Sequence, residues 1–148
     1  MRLWHWEILH YLPDSQLIAQ YRELGSIYKK QNKHILINYV YEYSKHDLLV
    51  YSLLVLSEIQ KRGFRTRSTT NFDSYFEGVY LKDIDYEHYI PFKNHQTDRY
   101  LLQCFFNLQE KYDRGQKDFS ASRFEALKQF VCNTLNKKYY VCHLLEVR

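Results

Sequence analysis

Ser44-Lys45-His46-Asp47-Leu48-Leu49-Val50-Tyr51-Ser52-Leu53-Leu54-Val55-Leu56-Ser57-Glu58-Ile59-Gln60-Lys61-Arg62-Gly63 is the stretch from which the fold follows. Nine of its residues between Leu48 and Ile59 are apolar or aromatic. A helix that is apolar nearly all round belongs in the middle of a domain, with other helices packed about it. Ser44 followed three residues later by Asp47 resembles a capping box, with Asp in the place of Glu. Lys61, Arg62 and Gly63 close the segment, with cations in the last turn and a glycine for a left-handed cap.

Working outward, Asp14 and Ser15 are good N-caps for an earlier helix. Leu17, Tyr21, Leu24 and Tyr28 recur at three- and four-residue spacing and form its buried stripe. Lys29 and Lys30 suit its C-terminal end. Before it, Met1 to Leu12 shows no period and reads as a non-helical aromatic arm packed on the helices, stopped by Pro13. Lys33 to Tyr43 suits either a strand or a connection packed on the core. Phe64 to Lys93 reads as a long structured connection. A third helix starts near Thr97, with Tyr100, Leu101, Cys104, Phe105, Leu108 and Tyr112 on one face and Gly115 at its end. A fourth starts near Ser120 to Ser122, where Ser122-Arg123-Phe124-Glu125 reads as a capping box. Its stripe is Phe124, Leu127, Val131, Thr134 and Leu135. The expected fold is all-α: one compact domain over residues 1–148, of three to four helices with long irregular connections.

The whole chain has 148 residues, a formal charge of +4, 26 Tyr, Phe and Trp, and only four Gly and two Pro. Such a composition excludes collagen-like and linker-rich chains. Three Cys without C-x-x-C spacing exclude a full disulfide framework and a thiolate-only zinc site. No run reaches the length of a membrane span and no secretory signal is visible, so the expectation is a cytoplasmic protein without membrane association. None of the seven His forms H-E-x-x-H or a zinc spacing, and no glycine-rich phosphate loop is present, so neither metal nor cofactor is expected.

Basic residues gather at Lys29, Lys30 and Lys33, at Lys61 to Arg67, and at Lys137 and Lys138. Interleaved with aromatics, such groups can neutralise phosphates and stack on bases. At helix ends they equally serve the dipole and solubility. Arg22 and Glu23 lie roughly 120–140° from the apolar stripe of their helix, on either flank of its polar face. Neither acts as a cap there. An arm folded back along this helix would put Glu23 in a groove beside the chain terminus.

Gln16-Leu17-Ile18-Ala19-Gln20-Tyr21-Arg22-Glu23-Leu24 resembles the first helix of the pyrimidine-dimer DNA glycosylases with abasic-site lyase activity, the phage endonuclease V type. Tyr-Arg-Glu-Leu is the core of that family's signature, and its distance from the N-terminus also fits. Met1-Arg2-Leu3-Trp4-His5 resembles a cellular branch of the family. Lys33-His34 with Tyr39, and Lys61-Arg62-Gly63-Phe64, extend the likeness over roughly the first 70 residues. Lys138-Tyr139-Tyr140 is similar to the family's aromatic C-terminal segment.

The resemblance implies an enzyme whose nucleophile is the N-terminal α-amine. That amine attacks the sugar C1′ of a damaged nucleotide, displaces the base and forms an imine, and β-elimination then nicks the strand. Amines of this type ionise near pH ~8 in model compounds and so offer a neutral fraction at neutral pH. Glu23 would stabilise the cationic sugar and move protons. Arg2, Arg22, Lys33, His34, Lys138, Tyr139 and Tyr140 would contact DNA. The partner implied is double-stranded DNA, bound by a monomer.

The chain departs from the family pattern in three places. Arg2 stands where the typical enzyme has Thr, so Met1 is expected to stay and its own amine to be the nucleophile. Ser26 replaces a phosphate-binding Arg, and the connection to His34 is short. The alternative is a nucleic-acid-binding module that keeps the fold and has lost the nucleophile.

Overall fold

The computed structural model describes residues 1–31 and 33–139, with side chains up to residue 136. Five α-helices carry it: α1 (Asp14–Lys29), α2 (Lys45–Lys61), α3 (Thr70–Tyr75), α4 (Asp98–Asp113) and α5 (Ala121–Tyr139). Short 3₁₀ segments occupy Trp6–Tyr11, Asn38–Glu42, Leu81–Asp83 and Tyr86–His88. No strand occurs among the described residues. The fold is the all-α single domain expected, although α3, a helix of six residues inside the 64–93 connection, carried no apolar period to reveal it.

The 44–63 segment is the central helix. Leu48, Leu49, Val50, Tyr51, Val55 and Ile59 of α2 are buried, and the 3₁₀ turn Trp6–Tyr11 and α1 pack against it. Its C-terminus ends as the sequence requires. Gly63 takes φ +78°, and the Phe64 N–H reaches back to the Ile59 carbonyl at 3.1 Å, closing the left-handed cap. Leu17, Leu24 and Ile27 of α1, Leu101, Cys104, Phe105 and Leu108 of α4, and Phe124, Leu127, Val131 and Leu135 of α5 complete the core.

Three local readings are corrected. Asp47 does not cap α2. It is buried, and its carboxylate accepts the Phe92 N–H at 2.7 Å and the Tyr89 hydroxyl at 2.7 Å. Phe92 holds a left-handed φ of +54° there, which is costly for an aromatic residue and is kept by this bond and by its carbonyl accepting from His95 and Gln96. Second, α5 is capped by Ser120, whose hydroxyl accepts the Arg123 N–H at 3.2 Å, so Ser122 is already inside the helix. Third, neither Asp14 nor Ser15 caps α1. Pro13 precedes its first turn, and the Ser15 N–H finds its acceptor in Asp118, more than a hundred residues away, at 2.7 Å. At Asp47 and Ser15 a tertiary partner decided the local geometry, while at α5 a neighbouring serine took the capping role.

The arm and the 30–44 connection are both more ordered than their sequences suggest. The arm contains a 3₁₀ turn, opened by the His5 ring accepting the Glu7 N–H at 3.2 Å. The Lys33–Tyr43 stretch is not a strand. It is a connection ending in the turn Asn38–Glu42, with Ile37 and Val40 buried.

Arg62 is the pin that fixes the arm's far end. Its guanidinium donates to the Leu12 carbonyl at 2.7 Å, to Asp14 at 2.8 Å, to the His10 carbonyl at 2.9 Å and to Glu58 at 3.0 Å. Arg123 donates to the same His10 and Leu12 carbonyls. Arg62 is therefore committed to the fold, while Lys61, Arg65 and Arg67 of the same basic cluster are exposed.

Candidate active site

An arm without a partner strand must satisfy its peptide groups some other way. Here side chains from three sides do so. The Trp4 N–H donates to Gln20 Oε1 at 2.8 Å, and the Trp4 carbonyl accepts the Tyr51 hydroxyl at 2.6 Å. The Leu3 carbonyl accepts the Tyr100 hydroxyl at 2.6 Å, and the Trp6 N–H donates to Gln96 Oε1 at 2.8 Å. His5 is buried, 1% exposed. Because its Nδ1 accepts from Glu7, its proton sits on Nε2, which donates to the Gln96 carbonyl at 3.0 Å. Burial lowers its pKa to about 4, against the opposing pull of that carbonyl bond and of Asp98.

Gln20, wholly buried in α1, is the junction of this network. Its oxygen accepts from Trp4 and from the Tyr51 hydroxyl at 2.9 Å. Its nitrogen donates to the Arg2 carbonyl at 3.1 Å and to Glu23 Oε2 at 3.1 Å. Burial pushes the Tyr51 phenol well above its ordinary range, so it stays a donor. Residues 2 to 4 are thereby laid along α1, within one helical turn of Glu23.

Glu23 lines a pocket of about 490 Å³ together with Met1, Arg2, Trp4, Gln20 and Leu36. Desolvation raises its carboxyl above the ordinary value. The N-terminal ammonium, the Arg2 N–H, His34 and Arg22 each pull it back in part. The chain terminus and this carboxylate thus share a concave site and feel each other's charge. A carboxyl group raised by burial beside a cationic chain terminus is suited to proton transfer.

The remaining expected residues are placed as follows. Arg22 is exposed on α1 beside Glu23, Lys33 is exposed, and His34 is half-buried and near enough to Glu23 to bias its ionisation. Arg2 is turned inward. With the Asn107 amide turned so that its oxygen faces Arg2, the guanidinium nitrogens donate to that oxygen at 3.0 and 3.2 Å, and the guanidinium carbon lies 5.9 Å and 6.0 Å from the Trp4 and Tyr100 ring centres. Lys138, Tyr139 and Tyr140 fall outside the residues whose side chains are described. Among the described residues, no group of three or more His, Cys, Asp or Glu is arranged to hold a metal ion.

Residues 1–72 match the family model for pyrimidine dimer DNA glycosylase. The match covers just under half of the chain and supports the resemblance seen in the sequence. The matched stretch holds the arm, α1, the connection, α2 and the start of α3, and so contains Met1, Gln20, Arg22, Glu23 and His34. The match supports a pyrimidine-dimer DNA glycosylase role in general, and with it DNA as substrate and DNA repair as context. No curated protein and no solved structure matches the chain. Among the described residues, no helix is long and apolar enough to cross a membrane.

Sequence reading missed Gln20, Tyr51, Gln96, Tyr100 and Asn107, the residues that hold the arm. Gln20 stood within the family signature, and its position on the α1 face turned toward Leu17 and Leu24 was a usable signal: a polar residue on a buried face needs partners. Gln96 and Asn107 lie beyond the matched stretch and gave no such signal.

Proposed function

We propose that this protein is a DNA glycosylase with β-lyase activity, acting on pyrimidine dimers or abasic sites in duplex DNA. It works as a cofactor-independent monomer of the cytoplasm, within the cellular branch of its family. The observation that carries this reading is the shared pocket of Met1 and Glu23, with the arm locked in place by Gln20.

The neutral Met1 amine attacks C1′ of the damaged nucleotide. The bond to the base breaks, and its electron pair leaves on the base nitrogen, which takes up a proton. The attacking nitrogen gives up a proton to the Glu23 carboxylate, the lone pair so freed forms the C1′ imine as the sugar ring opens, and Glu23 passes that proton to the ring oxygen. Loss of a C2′ proton to the Glu23 carboxylate then expels the 3′ phosphate, and water releases the amine. Glu23 is also the anion nearest the developing cationic sugar. Arg22, Lys33 and His34 face the flanking phosphates, and Lys138, Tyr139 and Tyr140 extend the DNA contact. Arg2, next to the nucleophile and lining the pocket, also contacts the DNA, with its guanidinium set against Asn107. The single domain, residues 1–148, is the functional unit.

The test is a duplex bearing one cyclobutane dimer or one abasic site. The expected products are a nick at the lesion with a 3′ unsaturated aldehyde and a 5′ phosphate. Salt-sensitive binding without any nick would instead favour the binding module that has lost its nucleophile.

A further inference from the structure

Ile35 is 85% exposed, the most exposed large apolar side chain among the described residues. Its neighbour Leu36 is 43% exposed and lines the same pocket as Met1 and Glu23. An isoleucine in water needs no account by itself. Two adjacent apolar residues held outward beside a candidate active site are a different matter, because the turn that carries them is built firmly. The His34 carbonyl accepts the N–H groups of Ile37 and Asn38, both at 2.9 Å, and the His34 ring accepts the Leu36 N–H at 3.2 Å. Ile37 and Val40 then anchor the segment in the core. The chain thus buries one isoleucine and holds its near neighbour in solvent.

The surroundings name the partner. Lys29, Lys30, Lys33 and Arg22 are all exposed on α1 and the connection that carries the tip. An apolar tip on the lip of a pocket that Arg2, Lys111 and Arg114 also line matches a polyanion with an apolar interior, which is what a stacked DNA duplex offers. Proteins that open a duplex insert apolar side chains between base steps, and extruding a nucleotide leaves a gap in the stack.

We infer that Ile35 and Leu36 form a wedge that enters the base stack next to the lesion and holds the duplex open at the Met1–Glu23 pocket. The inference rests on the DNA-repair reading above but not on the amine chemistry. It assigns the turn a task that Lys33 and His34, as phosphate contacts, do not perform.

The experiment uses a duplex with a tetrahydrofuran abasic analogue, which cannot form an imine, and 2-aminopurine beside it. Binding of the wild-type chain should raise the 2-aminopurine fluorescence as the base unstacks. The Ile35→Ser/Leu36→Ser variant, whose changes are on exposed side chains, should keep its circular dichroism. It should bind this duplex about tenfold more weakly, the loss expected for withdrawing two aliphatic contacts. It should also lose the fluorescence rise, yet bind the single-stranded analogue as the wild type does. Ile35→Met/Leu36→Met should restore both properties. A serine variant equal to wild type in duplex affinity and fluorescence overturns the wedge. So does an equal loss on single and double strands, which would make the pair part of the pocket. A wild-type chain that unstacks the duplex but never nicks an abasic site overturns the catalytic reading and leaves the wedge standing. One that binds no duplex removes both.

Discussion

The Gln20 side-chain nitrogen donates to Glu23 Oε2 at 3.1 Å, while the oxygen of the same amide accepts the Trp4 N–H at 2.8 Å. One buried amide therefore fixes both the orientation of the carboxylate and the path of the chain leading back to the terminus.

If Gln20 is that junction, Gln20→Ala leaves the buried Trp4 N–H and the part-buried Arg2 carbonyl without their partner. The expected loss is roughly 2–4 kcal/mol of unfolding free energy. Urea denaturation measures it. Strand nicking should fall further than the loss of folded protein accounts for, because the arm is no longer held to α1.

Glu23→Gln keeps the shape of the site and removes the proton-transfer group. Nicking at an abasic site should drop by about 100- to 10,000-fold, with duplex affinity unchanged or tighter. In the native protein the raised Glu23 carboxyl places the acidic limb of the rate profile above the usual carboxylate range. Activity requires the ionised form for C2′ proton removal, so the rate falls as pH drops through that value. A single-turnover pH profile that is flat through the mildly acidic range contradicts this role.

His5 supplies a pH dependence of stability that is separate from catalysis. Its pKa is lowered from 6.5 to about 4 in the folded protein. The unfolded chain takes up the proton first as pH falls, so His5 favours unfolding progressively below pH 6.5 and ceases to add to the slope below about 4. Across that window its contribution amounts to roughly 3 kcal/mol. Denaturation midpoints followed with pH should show this slope in the wild type and lose it in His5→Gln.

Asp47→Ala tests the correction made at the start of α2. A capping role alone would cost about 1 kcal/mol. Release of the Phe92 N–H and the Tyr89 hydroxyl should cost nearer 3 kcal/mol and free the strained turn at Phe92. Amide exchange at Phe92, protected in the wild type, should become fast in the variant.

These residues also show what sequence could and could not convey. The apolar run from Leu48 to Ile59 located the central helix because burial on all sides leaves its mark in every position. Gly63 and Thr97 marked helix ends because their caps are local: a left-handed residue in one case and a hydroxyl three residues from its donor in the other. Asp14, Asp47 and Ser122 had the same local credentials, but their neighbourhoods were decided by Arg62, Phe92 and Ser120. Periodicity does not see Arg62, 48 residues from Asp14, or Phe92, 45 residues from Asp47, whereas Ser120 was a local rival that offered the same hydroxyl. The site divides similarly. Glu23 was legible through the Tyr-Arg-Glu-Leu signature and its place on the polar flank of α1. The inward turn of Arg2 onto Asn107 was not, because Asn107 belongs to α4, and no spacing within the first 72 residues refers to it.

The central claim is that the Met1 amine forms a covalent bond with damaged DNA. Borohydride added during reaction with an abasic-site duplex, followed by peptide mapping of the reduced adduct, tests it most directly. The account predicts a trapped species with the sugar joined to the α-nitrogen of Met1, formed by the wild type and blocked by prior acetylation of that amine. Intact, DNA-binding protein that yields no adduct, or an adduct on a lysine with Met1 free, contradicts it.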